Sequence, residues 1–500
     1  MAVIVFITAI ILVADNMIGI EAKGRDIDVP QTGSGIAGIF QRKAPDYVDG
    51  PYHALHRGYD IKLVGEAPRK LERSQVSAVA LQPPNFVGMS PIPKIMVEPG
   101  HEVLAGQQIL FDKKRPRIKY VSPVSGEVAA INRGDKRSIT EVVIIPDREQ
   151  KFKDFGNLDL ASSSRDELVH FLLETGAWPS IRQRPYDLVA DPSSTPANIF
   201  ISTFDSAPLA PQYDFVIAGH EAEWNKGVEV LSHLTDGKVH IGLDANGKGA
   251  PSSIFYNTLF AEKHWFSGPH PSGNVGVQMH HIHPVSSKDV AWVLGVQDVV
   301  LIGRLFTEKR YNAERIVALT GQGVKDQRYV RTTLGAKISD LLQGQELTDA
   351  QRIISGDVLS GEKKSVGGYL NYYDDHLTVI AEGKEYELFG WLLPLKMRPS
   401  ISPTYPNFLF PDVKYSVNTN AHGEKRAFVV TGQYEKMLPM QIYPQHLMKA
   451  ILTNDYEKME GLGIHELSEE DLALCEFACT SKQPLQQILR QGLEMMREQG

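Results

Sequence analysis

The stretch "VEPGHEVLAGQQILFDKKRPRIKYVSPVSGEVAAI" (Val97–Ile131) decides how the first third of the chain folds. "QILFD", "IKYVS" and "EVAAI" have the length and β-branched content of strands, while "EPGHE", "LAGQ" and "VSG" carry the Gly and Pro of tight turns. With "KIMV" just upstream, the short runs from Arg57 to about Asp147 read as a small all-β unit.

That pattern is similar to the half-barrel of a lipoyl or biotin carrier domain, which presents a modified lysine at a hairpin tip. Here Lys113 follows the strand residue Leu110 by three positions, which reads as too short to reach such a tip. "NRGDKRSITEVVI" also replaces the second half of the carrier pattern. The scaffold is therefore expected without the arm, and modification of Lys113 or Lys114 is not. The basic turns "KKRPRIK" (Lys113–Lys119) and "RGDKR" (Arg133–Arg137) read first as solvated surface; the other reading is contact with an anionic headgroup or a partner subunit.

Downstream the pattern becomes α/β. "SSSRDELVHFLLETGAW" has capping serines followed by helical apolar spacing at Leu168, Phe171 and Leu172. "NIFISTF", "YDFVIAG" and "KVHIGLD" read as strands and "HEAEWNKGVEVLSHLTDG" as a helix, which suggests a parallel, Rossmann-like sheet. "DVAWVLGVQDVVLIGRLF" is expected to add a helix. From about Arg310, "RIVALTG", "YVRTTLG", "KISDLLQG" and "RIISGDVLSG" predict a compact β-grasp-like unit. "KYSVNTN" and "RAFVVTG" read as further strands. A helical tail begins at Tyr443, with Ser468 and the acidic Glu469-Glu470-Asp471 as a helix start.

Composition sets outer limits. The 500 residues hold 42% hydrophobic and 22% charged side chains, as in a globular protein of three or four domains. A net charge of -8 with no basic stripe gives no reason to expect nucleic acid. Two cysteines, Cys475 and Cys479, cannot form a disulfide framework or by themselves hold a cluster or a closed zinc site. "AVIVFITAIILVA" (Ala2–Ala14) is apolar for thirteen residues, short of the roughly 20 that span a bilayer. A membrane-touching anchor, a buried segment and a start codon placed too far upstream all stay open for it. Residues 24–57 read as a linker.

Chemistry-bearing motifs are few. Gly219 is a lone glycine rather than G-x-G-x-x-G, and no P-loop occurs, so independent dinucleotide binding is not expected. "FSGPHPSGNVGVQMHHIHPV" (Phe266–Val285) has four histidines within fourteen residues. Read as a strand, it puts His281 and His283 on one face and His280 on the other, so no metal site is expected from it. Cys475 and Cys479 share a helix face and read as buried structural thiols. No catalytic centre declares itself.

The order of these units resembles the A-subunit family (NqrA) of the sodium-translocating NADH:quinone oxidoreductases. The resemblance runs from Arg57 to Gly500 and rests on several stretches, among them "RGYDIKLVGEAP" (57–68), "FVGMSP" (86–91), "SPVSGEVAAINRGDKR" (122–137), "TGAWPSIRQRPYD" (175–187), "GPHPSG" (268–273), "LFGW" (388–391) and "EEDLALCEFAC" (469–479). It implies an α/β multidomain chain: an extension over 1–56, an unmodified barrel-sandwich hybrid over 57–150, a Rossmann-like domain over 151–309, a β-grasp (SLBB-like) domain over 310–390, and strands with a helical tail over 391–500.

The resemblance also implies a peripheral subunit on the cytoplasmic face of a bacterial inner membrane. Its partners would be the other members of a six-subunit complex, especially the membrane-embedded B subunit. That complex oxidises NADH, reduces ubiquinone and exports sodium, and it uses flavins and iron–sulfur centres. The family is similar to the flavin-binding subunit of respiratory complex I and the C subunit of the Rnf complex, whose glycine-rich loop and cluster cysteines are absent here. No cofactor of its own is therefore expected for this subunit. Quinone, if it contacts this chain, is expected at Phe86, Val87 and Met89 in "PPNFVGM" or at His270 in "GPHPSG". A free-standing soluble NAD- or flavin-dependent oxidoreductase is the alternative.

Overall fold

The computed structural model describes residues 43–247, 252–348, 350–385, 397–402 and 406–499. The apolar start and "LFGW" lie outside these residues. The chain divides into two units at Val48, and every element below belongs to the second, which begins at Asp49.

Two short strands come first, β1 (Tyr52–Ala54) and β2 (Leu71–Arg73). Each joins a sheet built much later in the chain. Then follow β3 (Val79–Leu81), β4 (Lys94–Ile95), β5 (Glu102–Val103), β6 (Gln108–Asp112), β7 (Arg115–Val121), β8 (Gly126–Arg133) and β9 (Ile139–Pro146). They form two small sheets, β3-β9-β8-β5 and β4-β6-β7, which face each other across Ile109, Leu110, Ile118, Val128, Val142 and Ile144, all fully buried. This is the barrel-sandwich hybrid. Lys113 and Lys114 are the two turn residues between β6 and β7. They do occupy a hairpin tip, contrary to the expectation, because β6 continues through Asp112, whose Oδ1 accepts the Lys114 backbone N–H at 3.1 Å.

The α/β domain opens with α1 (Arg165–Thr175), capped by a serine as expected: Ser164 and Glu167 form a reciprocal cap. Next are β10 (Arg182–Arg184), β11 (Leu188–Val189), β12 (Asn198–Ser202), α2 (Tyr213–Val216), α3 (Glu221–Ser232), β13 (Val239–Asp244), α4 (Ser253–Tyr256), β14 (Glu262–Ser267), α5 (Val275–Ile282), β15 (Ala291–Val293) and α6 (Val296–Thr307). The sheet order is β1-β14-β13-β12-β15-β10-β11, parallel from β1 to β15 and antiparallel beyond. β12 and β13 are buried almost throughout, as a sheet covered on both faces requires. Helices α3 and α6 cross at backbone contact. A Cβ on Gly303 would stand 1.8 Å from the Glu223 carbonyl oxygen, and one on Gly227 2.1 Å from that of Val299.

Three sequence expectations change here. "YDFVIAG" is the short helix α2 rather than a strand; a brief apolar run is ambiguous between the two. The "VGVQMHHI" run is helix α5, not a strand, because Val275, Met279 and Ile282 recur at helical spacing and pack against Phe200. "DVAW" supplies β15 ahead of the expected helix α6.

The β-grasp domain holds β16 (Glu314–Thr320), β17 (Arg328–Thr333), α7 (Ile338–Leu341), β18 (Gln351–Ser355), β19 (Glu362–Lys364) and β20 (His376–Ala381), with sheet order β19-β18-β20-β16-β17-β2. The expected strands "KYSVNTN" and "RAFVVTG" do not form. Val429 and Val430 are 76% and 50% exposed, so nothing buries an alternating face. The Gln322 side chain, not a neighbouring strand, takes both the N–H and C=O of Val417, at 2.9 and 2.6 Å. The tail packs α8 (Pro444–Leu452), α9 (Tyr456–Gly461), α10 (Glu469–Ala478) and α11 (Leu485–Gln499) into one apolar cluster. That cluster encloses Cys475 and Cys479; Cys475 donates to the Tyr434 carbonyl, and burial pushes its thiol pKa up. Among the described residues, no helix is long and apolar enough to cross a membrane.

The α/β and β-grasp domains meet at a buried ion pair between Asp298, in the first turn of α6, and Arg315 on β16. Asp298→Ala removes the ion-pair partner of the buried Arg315 guanidinium, leaving only the neighbouring Asp375 carboxyl to offset its charge, with an expected cost of about 3–5 kcal/mol. Removing both charges as Asp298→Asn with Arg315→Met should recover most of that loss. Urea unfolding of the two variants measures the difference.

Candidate functional site

In an open parallel sheet, ligands bind beyond the carboxyl ends of the strands where the strand order reverses. From β12 the chain adds β13 and β14 on one side, then returns to add β15 on the other. A crevice of about 130 Å³ opens there, at the ends of β12 and β15. Its walls include Phe204 and Asp205 after β12, the starts of α5 and α6, Tyr213 of α2, Asp357 and Ser360 of the β-grasp domain, and Glu470 of α10.

His270 lies on this crevice and is 3% exposed. Its ring Nδ1 is 3.1 Å from Ser206 Oγ, its backbone N–H donates to Asp60 Oδ1 at 2.8 Å, and its Nε2 is buried without a hydrogen-bond partner. Burial lowers its pKa, against the opposing pull of Asp205 and Asp357. Burial raises the Asp205 carboxyl, which accepts the Ala207 N–H at 2.7 Å.

Phe86 lies elsewhere, under the barrel. It is 2% exposed, with its ring 4.6 Å from Tyr120 and 4.9 Å from Tyr372. Val87 and Met89 are half-buried on either side of Gly88. The void lined by Leu81, Tyr311 and Tyr372 in that region holds about 10 Å³, no more than one water. The structure therefore gives His270 a crevice and gives Phe86 a packed aromatic cluster. Asp205, Tyr213, Asp357 and Glu470 carried no sequence signal as a site, because four separate segments bring them together.

A nucleotide phosphate in this fold would sit at a helix N-terminus. The residues present do not fit one. At the start of α5, a Cβ on Gly276 would stand 2.5 Å from Asp471 Oδ2, so that carboxyl lies against the helix's first turn. The Asn274 side-chain amide donates to the Glu470 carbonyl at 3.1 Å. At the start of α6 the Gly295 N–H already donates to Asp298 Oδ2 at 3.3 Å. Asp205, Asp357 and Glu470 line what remains. Arg182 and Arg184 supply positive charge, but both are engaged with Asp187, and Arg184 also with Glu470.

Fold and site together define a chain with a barrel-sandwich hybrid, an α/β domain and a β-grasp domain, whose own carboxyl groups lie against the helix starts at the crevice. Family descriptions match in chain order: the NqrA N-terminal barrel-sandwich hybrid domain over residues 54–147, the NqrA second alpha/beta domain over 163–311, and the NqrA C-terminal domain over 316–365. The A subunit of the Na(+)-translocating NADH-quinone reductase from Yersinia pestis bv. Antiqua (strain Angola) is 37% identical over 450 residues, covering 89% of this chain and 99% of that one. Its namesake from Saccharophagus degradans is 38% identical over 450 residues, with the same two coverages. The chain belongs to the NqrA family, the A subunits of Na(+)-translocating NADH-quinone reductases. Among solved structures, an NAD+-reducing [NiFe]-hydrogenase in the H2-reduced state aligns with 44% of this chain and 50% of its own, at 9% identity and a TM-score of 0.30.

Glu470 gives the crevice a pH signature. Burial, and then the neighbouring Asp471, raise its carboxyl pKa from 4.5 to about 7. The folded state therefore holds a proton that the unfolded chain releases, and this contribution to stability is lost as pH rises from 4.5 through 7. Melting temperatures across that range should fall less steeply in Glu470→Gln than in the parent protein.

Proposed function

We propose that this chain serves as the A subunit of a sodium-translocating NADH:quinone reductase, the complex that couples NADH oxidation and ubiquinone reduction to sodium export. In this reading it is a peripheral subunit on the cytoplasmic face of the inner membrane. It docks on the membrane subunits, the B subunit foremost, and carries neither flavin nor iron–sulfur centre of its own. The observation that supports the cofactor-free reading is the Asp471 carboxyl lying where a bound phosphate would meet α5. A phosphate there would compete for space with this buried carboxyl, which already accepts the Ser468 N–H and hydroxyl at 2.9 Å. The free-standing oxidoreductase alternative needs that phosphate position and loses its support with it.

A second reading, a quinone contact, is favoured by one observation: the buried, unpartnered His270 Nε2 beside the crevice. A quinone carbonyl accepts one hydrogen bond from such a group, and the crevice has room for a head group rather than an isoprenoid tail. The tight packing of Phe86 supports a structural role for it instead.

Absorbance and titration of the purified full-length chain test both readings. The protein should be colourless and show no saturable FMN binding; a co-purifying flavin band overturns the cofactor-free reading. A short-chain ubiquinone analogue should quench tryptophan fluorescence saturably, with about tenfold weaker binding in His270→Ala and little change in Val87→Ala. Equal binding by the parent chain and His270→Ala removes the quinone contact and leaves docking.

A further inference from the structure

On the α5-covered face of the α/β sheet, toward the amino ends of the strands and away from the crevice, histidines gather from four elements. They are His53 on β1, His240 on β13, His264 on β14, and His281 on α5. The register pairs His240 with Glu262 and Gly242 with His264, so His240, Glu262 and His264 project from the same face.

Their donor atoms are already close together. His240 Nδ1 is 3.0 Å from His264 Nε2 and 3.7 Å from Glu262 Oε2. The three ligand atoms all lie within 4.8 Å of one another. A tetrahedral zinc ion with bonds of about 2.0–2.1 Å sets its ligands about 3.3 Å apart, a spacing the first two distances bracket.

The surrounding bonds orient the donors. Asn198 Oδ1 accepts the Lys238 backbone N–H at 3.1 Å, which fixes that atom as the acceptor. His240 Nε2 lies 3.1 Å from the same oxygen and must therefore carry the proton, leaving Nδ1 with its lone pair toward His264 and Glu262. His264 Nδ1 and His53 Nε2 are buried without hydrogen-bond partners. The His53 ring stacks on Phe266 at 4.6 Å, with its centroid 5.9 Å from that of His264. Lys238 holds the other Glu262 oxygen and leaves Oε2 available.

We propose that His240 Nδ1, His264 Nε2 and Glu262 Oε2 form a binding site for a divalent transition cation of the zinc class, with water in the fourth position on the side facing His53. Two imidazoles and one carboxylate are a common donor set for such ions. Binding requires only that the His264 proton move from Nε2 to Nδ1. The ion would tie β13 to β14, and through Asn198 to β12, away from the crevice. Its role is structural or regulatory rather than catalytic.

The test uses the tag-free, chelator-treated full-length chain titrated with Co2+ alone, followed by displacement with Zn2+. One equivalent should give a visible absorption band of tetrahedral intensity that Zn2+ abolishes, and the melting temperature should rise. Glu262→Gln changes a half-exposed side chain and should fold; it should weaken binding about tenfold or more, as should Asn198→Ala. His264→Gln should abolish the band, while His281→Gln should leave affinity within about threefold. Absence of saturable Co2+ binding overturns the proposal, and so does a band that persists unchanged in both Glu262→Gln and Asn198→Ala. Because Glu262 lies on the surface, the result does not depend on whether His264→Gln folds.

Discussion

The buried contact between Asp298 and Arg315 is the constraint on which the rest of the arrangement depends. Asp298 stands in the first turn of α6, the helix that forms one wall of the crevice, and Arg315 stands on β16 of the β-grasp sheet. Beside them, Gln297 takes both the N–H and the C=O of Ile316, at 2.8 and 2.9 Å, and also donates to Asp375 at 2.8 Å. Burial, against the pull of Arg315, raises the Asp375 carboxyl to about 7. A buried pair of this kind adds little net stability over an apolar substitute, but it tolerates only one relative placement of the two elements. That placement brings Asp357 and Ser360 of the β-grasp domain to the mouth of a crevice otherwise built by the α/β domain.

The crevice stands where a doubly wound sheet offers its binding position, and carboxyl groups line it. The strand order still reverses between β12 and β15, and two helices still begin there. At the start of α5 the Asp471 carboxyl of the tail lies against Gly276, and at the start of α6 the Gly295 N–H donates to Asp298 of the helix's own first turn. The partial positive charge of each helix end is met from within the chain. The tail thereby becomes part of the site: α10 packs the C-terminal core, supplies Glu470 and Ala473 to the crevice, and sets Asp471 against the start of α5.

What the sequence made legible was local. Strand and turn signals from Arg57 to Asp147 correspond to the barrel, and the Ser164–Glu167 and Ser468–Asp471 caps both form. Misreadings arose where one pattern suits two structures. The histidine-rich run alternates loosely enough to pass for a strand, yet Val275, Met279 and Ile282 have helical spacing, and burial against Phe200 decides the matter. "RAFVVTG" has strand composition but no sheet edge to join. The crevice residues were not legible, because a carboxylate at a helix start looks the same in sequence whether it caps its own helix or faces another. The pairing of His240 with Glu262 depends on strand register, which spacing along the chain does not reveal.

The two short strands ahead of the barrel bear on the order in which the protein can be made. β1 pairs with β14, at Tyr52 and Trp265, and β2 pairs with β17, at Leu71 and Tyr329. Each partner lies about two hundred residues or more downstream, so both strands leave the ribosome long before their sheets exist. The barrel can close from local hairpins during that wait, while the segment ahead of it stays an exposed edge open to wrong pairings. Closing the α/β sheet on one side and the β-grasp sheet on the other is thus a late step that uses the earliest part of this unit to be synthesised. A nascent chain stalled before Trp265 would hold a finished barrel and two strands with nothing to bind.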